Sequence, residues 1–169
     1  MQTFRLETSL MGLLTHSRKT KERIPLDKEK CLAIIQEIFS TNRYVIHSGI
    51  IIDEVGCGWA KLHMPIDADV HINLTGFTHG GAFSTLANTA VGVACCTVGA
   101  KTVTLNITTD FIKNIRAGET AWAEAKVLHR GRKTIVLVSK IYDDHRALLC
   151  QTMATMYVKG DDERIPKEW

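Results

Sequence analysis

No apolar run in this sequence approaches the roughly 20 residues a membrane-spanning helix needs. The start, Met1-Gln-Thr-Phe-Arg-Leu-Glu, lacks the apolar core of a signal peptide. Proline is scarce, three residues in 169, and there is no internal repeat or low-complexity tract. Cysteine is present five times (31, 57, 95, 96 and 150), an odd count with no C-x-x-C and no regular spacing. This excludes a disulfide framework and a thiolate metal site, and fits reduced thiols in a cytoplasmic protein. Seven histidines show no H-x-x-x-H or other metal-type spacing, so no metal is expected. Aromatic residues are only 7% and the net charge is +3. The excess charge sits in residues 1–30, with seven Lys/Arg against four acids, and the remainder carries fourteen of each sign. A neutral body with few aromatics excludes nucleic acid as the main partner. The basic stretch 18–23 reads as a solvated leader.

What remains is an ordinary globular composition, 45% hydrophobic and 23% charged. The length suits one domain that buries its core without staples. A short helix is expected near residues 6–14. Asp27 then caps a helix over 28–39, where Cys31, Ile34, Ile35 and Ile38 recur at helical spacing. Gly49–Val55 and Trp59–Met64 read as strands joined at Gly56-Cys57-Gly58, and 65–78 as a loop. Residues 79–98 contain no proline and no charge, and their apolar residues cover most of the circumference, which predicts a buried helix. Four strands follow, over 102–112, 119–129, 134–142 and 146–158, with clear alternation in Ala121/Ala123/Ala125 and Ile135/Leu137/Ser139/Ile141. A curved antiparallel sheet wrapped around the one apolar helix gives an α+β domain. The tail from Gly160 is polar and expected to fray.

The informative segment is His71-Ile-Asn73-Leu-Thr-Gly76-Phe-Thr-His79-Gly80-Gly81, directly before the apolar helix. The first N–H groups of a helix have no intrahelical partners, and with the helix dipole they favour negative charge. Glycines at 80 and 81 let a ligand approach those groups. That suits a thioester carbonyl becoming an oxyanion, with His79 donating a further bond and Asn73 bracing the loop. Read from the residues alone, a tight Gly-Gly turn with His79 as a helix cap explains the segment with fewer assumptions.

The pattern N-x-x-G-x-x-H-G-G before a small-residue helix resembles the hotdog-fold thioesterases of the phenylacetate-degradation type. The likeness continues through Thr104-Leu-Asn-Ile, Arg116-Ala-Gly118-Glu and Ala123-Glu-Ala-Lys-Val-Leu-His-Arg-Gly-Arg132-Lys-Thr134. It covers roughly residues 45–158 and implies a hotdog domain over 45–159; the residues outside it read as an N-terminal helical extension over 1–44 and a polar tail over 160–169. It implies hydrolysis of an acyl-coenzyme A, with coenzyme A as part of the substrate and no separate cofactor. It also implies a homodimer with its active sites at the seam, and in many members a tetramer. Spacing points the same way: His79 and Asn88, nine residues apart, are half a turn and about 13 Å apart along a helix, so a site using both needs two subunits. Thr104 matches a strand hydroxyl that orients water in some relatives, and alternation would put it on one face with Asn106 and Thr108. A plain surface threonine fits equally. Relatives use the region of Arg130, Arg132 and Lys133 to meet coenzyme A phosphates, although such turns are often merely solvated.

One departure stands out. The family's helix carboxylate, nine residues after the motif histidine, is Asn88 here. An amide cannot serve as general base or carboxylate nucleophile. Three readings stay open: Asn88 orients water while the oxyanion site does most of the work, another group acts as base, or the chain binds an acyl-coenzyme A without cleaving it. A dehydratase acting on hydroxyacyl thioesters also needs that carboxylate and ranks last. Cys95-Cys96 lies inside the buried helix and reads as core packing. Ser84 has no identifiable relay partner.

Overall fold

The structure, a computed structural model, describes residues 27–169. The helix expected near 6–14 and the basic leader lie outside the described residues. Helix α1 spans Lys28–Phe39. Asp27 caps it, its Oδ1 accepting from the Lys30 N–H at 2.8 Å. Cys31 and Ile35 form its buried stripe, and Gln36 Nε2 donates to the Ile52 carbonyl at 3.2 Å. A one-turn helix not anticipated from sequence, α2 (Arg43–His47), follows an Asn42 cap. Five residues are too few to show a period.

Six strands follow: β1 (Ile51–Gly56), β2 (Trp59–Pro65), β3 (Ala100–Phe111), β4 (Thr120–Arg130), β5 (Thr134–Tyr142) and β6 (Leu148–Asp161). Between β2 and β3 lie the short α3 (Ala68–His71) and the long α4 (Gly80–Cys96). The sheet is antiparallel throughout, in the order β1-β2-β4-β5-β6-β3. Helix α4 packs against β2, β3, β4, β5 and β6. A straight helix reaches five neighbouring strands only if the sheet curls round it. Ala60, Ala121, Ala123 and Ala125, all fully buried, let the two layers approach closely. This is the α+β arrangement of a central buried helix in a curved sheet.

Two expectations are corrected. The loop 65–78 contains α3, because Asp67 Oδ1 accepts from the N–H groups of Asp69 and Val70. The tail does not fray. Strand β6 runs to Asp161, the Asp162 N–H donates to the Gly99 carbonyl at 2.8 Å, and Ile165 is buried. Trp169 Nε1 donates to the Thr97 carbonyl at 2.6 Å, so the chain end closes over the C-terminus of α4.

Among the described residues no helix is long and apolar enough to cross a membrane. Strand β3 is a long edge strand that leaves Val103, Leu105 and Phe111 exposed. Such an edge is a template for pairing with another strand.

Candidate active site

The His79 loop is held from below. Asn73 Oδ1 accepts from Thr75 N, Thr75 Oγ1 and Phe77 N, an Asx turn that closes the loop on itself. The Thr78 N–H and Oγ1 both donate to the Ile115 carbonyl, and Asn114 Nδ2 donates to the Thr78 carbonyl. The His79 N–H donates to the His71 carbonyl at 2.7 Å. His71 and Thr78 lie in the informative segment but had no role assigned there, and nothing in the spacing of Asn114 marks it.

At the helix start the expectation of two free amides is corrected for Gly81. Its N–H donates to His79 Nδ1 at 2.9 Å, so His79 is the N-cap of α4. With Nδ1 accepting, the imidazole proton resides on Nε2. Among the described residues no protein acceptor takes the Gly80 N–H. The Phe111 ring rests against Gly80, where an added Cβ would lie 3.2 Å from Cζ. The available donors are therefore the Gly80 amide and His79 Nε2.

His71, 5% exposed, accepts the Asp67 N–H on Nδ1 at 3.0 Å, while its buried Nε2 lacks a partner among the described residues. Burial pushes its pKa below the ordinary value and His47 adds to this, against the raising effects of the Ser48 carbonyl and Asp67. The unfolded chain thus takes up a proton near pH 6.5 that the folded chain resists. Stability is full above that pH and is lost as pH falls through the folded value. His71→Asn keeps an acceptor but cannot titrate. Its melting temperature is expected to fall less than that of the unmodified chain between about pH 7.5 and 5. Parallel curves would exclude His71 as the source.

Asn88 and Thr104 meet within one chain, Thr104 Oγ1 donating to Asn88 Oδ1 at 2.8 Å. The alternation expected along β3 is corrected here. Thr104 pairs with Met156 and Asn106 with Thr155, so Leu105 is an inserted bulge residue. The extra residue reverses the faces. Thr104 points inward to α4, while Thr108 Oγ1 meets Asn106 Oδ1 at 3.5 Å on the other side.

Beside this pair lies a cleft of about 510 Å³. Asn88, Gly92 and Cys96, one helical turn apart in succession, line it from α4, and Thr102, Thr104 and Met156 from the sheet. Ile38 and Phe39 of α1 and Arg164 and Ile165 of the tail also line it. His79 is not among its lining residues. Within one chain the structure brings Asn88 to Thr104, but not to His79 or Gly80.

A second cleft, about 240 Å³, is lined by Arg130 and Arg132 together with Lys159 and Lys167, two residues the sequence had not suggested. Lys133 is not among its lining residues. Asp161 pairs with Arg130 at 3.2 Å and with Lys167 at 3.4 Å, and Arg130 Nε is buried with no partner among the described residues.

The cysteines are all free. Burial pushes the thiols of Cys31, Cys95 and Cys150 up to about 12 and that of Cys96 to about 11, so none of these four is a nucleophile at neutral pH. Among the described residues no cluster of three or more His, Cys, Asp or Glu is placed to hold a metal ion.

The family model of the thioesterase superfamily matches residues 75–150. ComA2 of Bacillus subtilis is 34% identical over 99 residues, covering 56% of this chain and 77% of that protein. The chain belongs to the thioesterase superfamily. The acyl-coenzyme A thioesterase PaaI of Escherichia coli is 36% identical over 86 residues, 51% of this chain and 61% of that one. The solved E. coli PaaI structure, from the phenylacetic acid degradation operon, gives a TM-score of 0.75 at 26% identity over 80% of this chain and 97% of that one. A hypothetical thioesterase of Streptococcus pneumoniae, solved with coenzyme A, gives 0.70 at 21% identity over 76% and 99%, a likeness of fold. The thioesterase-superfamily match covers the His79 loop, α4, β3, β4 and β5, and so every expected site residue except Asn73.

Proposed function

We propose that this chain hydrolyses the thioester of an acyl-coenzyme A at a site shared by two subunits. The observation that carries the reading is the Thr104–Asn88 hydrogen bond on the lining of the 510 Å³ cleft, in a chain 36% identical over 86 residues to an acyl-coenzyme A thioesterase. The exposed edge of β3 supports pairing with a second copy. Such pairing would bring one subunit's His79 loop to its partner's α4.

Water sits between Thr104 Oγ, which accepts one of its protons, and the Asn88 amide N–H, which donates to it. It attacks the carbonyl carbon while Gly80 N–H and His79 Nε2–H of the other subunit stabilise the developing oxyanion. The C–S bond then breaks, and the proton lost by the water ends on the coenzyme A sulfur. The products are a free acid and a free thiol. Arg130 and Arg132, with Lys159 and Lys167, supply cations for the coenzyme A phosphates. Neither Thr104 nor Asn88 is a base, so the expected turnover is slow for this class, forgoing about 10²–10⁴ in rate.

Purified protein is expected to release free thiol from at least one member of a short, long and aromatic acyl-coenzyme A panel, and to migrate as a dimer. No turnover across that panel would overturn hydrolysis. It would leave the second reading, favoured by the amide at position 88, of a silent acyl-coenzyme A-binding protein.

A further inference from the structure

We infer that the 510 Å³ cleft beside Asn88 holds an unbranched aliphatic acyl chain of medium length, and that Gly92 sets its depth. The inference rests on the proposed thioesterase reading and adds the class of acyl group.

Gly92 sits in the middle of α4, where glycine is unfavourable relative to alanine. Its φ is not positive, so the backbone does not require glycine. An added Cβ would meet nothing within 4 Å, so packing does not require it either. What the missing side chain leaves is open volume. Asn88, Gly92 and Cys96 share one helix face, so the floor of the cleft runs from the polar pair past a glycine to a small residue. Eight helix residues span about 12 Å, about the length of an extended chain of eight to ten carbons.

The walls come from outside the segment matched by the family. Ile38 and Phe39 belong to α1 and Ile165 to the docked tail, and family matching ends at residue 150. Of the charged residues that line the cleft, Arg164 is paired with Asp162 at 2.9 Å, and Lys101 is a second cation. An unbranched apolar chain gains the Ile38, Phe39, Met156 and Ile165 surfaces.

The test narrows the cleft at two lining positions, with Gly92→Leu on α4 and Ile38→Trp on α1. The readouts are kcat/KM for decanoyl- and acetyl-coenzyme A, and calorimetric binding of decanoyl-coenzyme A and coenzyme A. The unmodified chain is expected to prefer decanoyl at least tenfold by both measures. Each variant is expected to reduce that preference at least tenfold. Turnover with an unchanged preference in both variants overturns the acyl site and leaves hydrolysis standing. If the chain hydrolyses neither thioester, calorimetry decides the cleft alone: equal binding of decanoyl-coenzyme A and coenzyme A overturns it, and tighter decanoyl binding lost in the variants supports it. If Gly92→Leu does not fold, Ile38→Trp carries the same outcomes.

Discussion

Replacing Asn88 by aspartate is expected to raise kcat on an acyl-coenzyme A by about a hundredfold, the lower part of what a positioned general base supplies. The change is isosteric at an exposed position on α4, so stability should hardly move. Thr104 Oγ1, 2.8 Å from Oδ1, already donates to that oxygen and would orient the carboxylate as it orients the amide. The other oxygen would replace an N–H donor and take the water's proton at the moment of attack. The variant should show a new acidic limb in its kcat profile, with an apparent pKa of about 4, and the unmodified chain should lack it. Thr104→Val in the aspartate background should return most of the gain. A fall in kcat on introducing aspartate would sink this account, because it would mean the amide N–H is itself required. An inactive unmodified chain beside an active aspartate variant would identify a site silenced by one atom.

The parts of the molecule legible in the sequence are those with a strong local period or a charge vacuum. Helix α4 was readable because no charge interrupts residues 79–98, and β4 and β5 because their alanines and aliphatics alternate without a break. The His79 segment was readable only with a family beside it. Its residues equally describe a helix cap, and the structure makes that cap: His79 Nδ1 takes the Gly81 amide. What was not legible depends on insertions and long-range contacts. The bulge at Leu105 turns Thr104 inward, and strict alternation misplaces it beside Asn106 and Thr108. Lys159 and Lys167 join Arg130 and Arg132 through strand pairing and tail docking, which no local spacing encodes. The cleft beside Asn88 is assembled from three stretches far apart in sequence, residues 38–42, 88–104 and 156–165.

The tail gives the second large expected effect. Gly99→Ala should lower stability by about 3 kcal/mol and the melting temperature by about 6–12 °C for a domain of this size. Gly99 has φ +68°, a left-handed conformation that costs a residue with a Cβ about 1–2 kcal/mol. The added Cβ would be driven into the carbonyl oxygen of Ile165, a backbone atom that cannot rotate away. The tail must therefore lift, losing the buried Ile165 side chain, the Asp162 N–H to Gly99 carbonyl bond and the Trp169 to Thr97 bond. Burial of one isoleucine is itself worth about 1.5–3 kcal/mol. Thermal unfolding measures the total, and hydrogen exchange at the Asp162 amide reports whether the tail is the part that moved. A cycle with a chain ending at Asp161 separates the contributions: there Gly99→Ala should cost only the backbone strain, about 1–2 kcal/mol. An unshifted melting temperature with Asp162 still protected would show that the tail accommodates the methyl. If the tail does lift, decanoyl-coenzyme A should lose more activity than acetyl-coenzyme A, because Ile165 and Arg164 are one wall of the cleft beside Asn88.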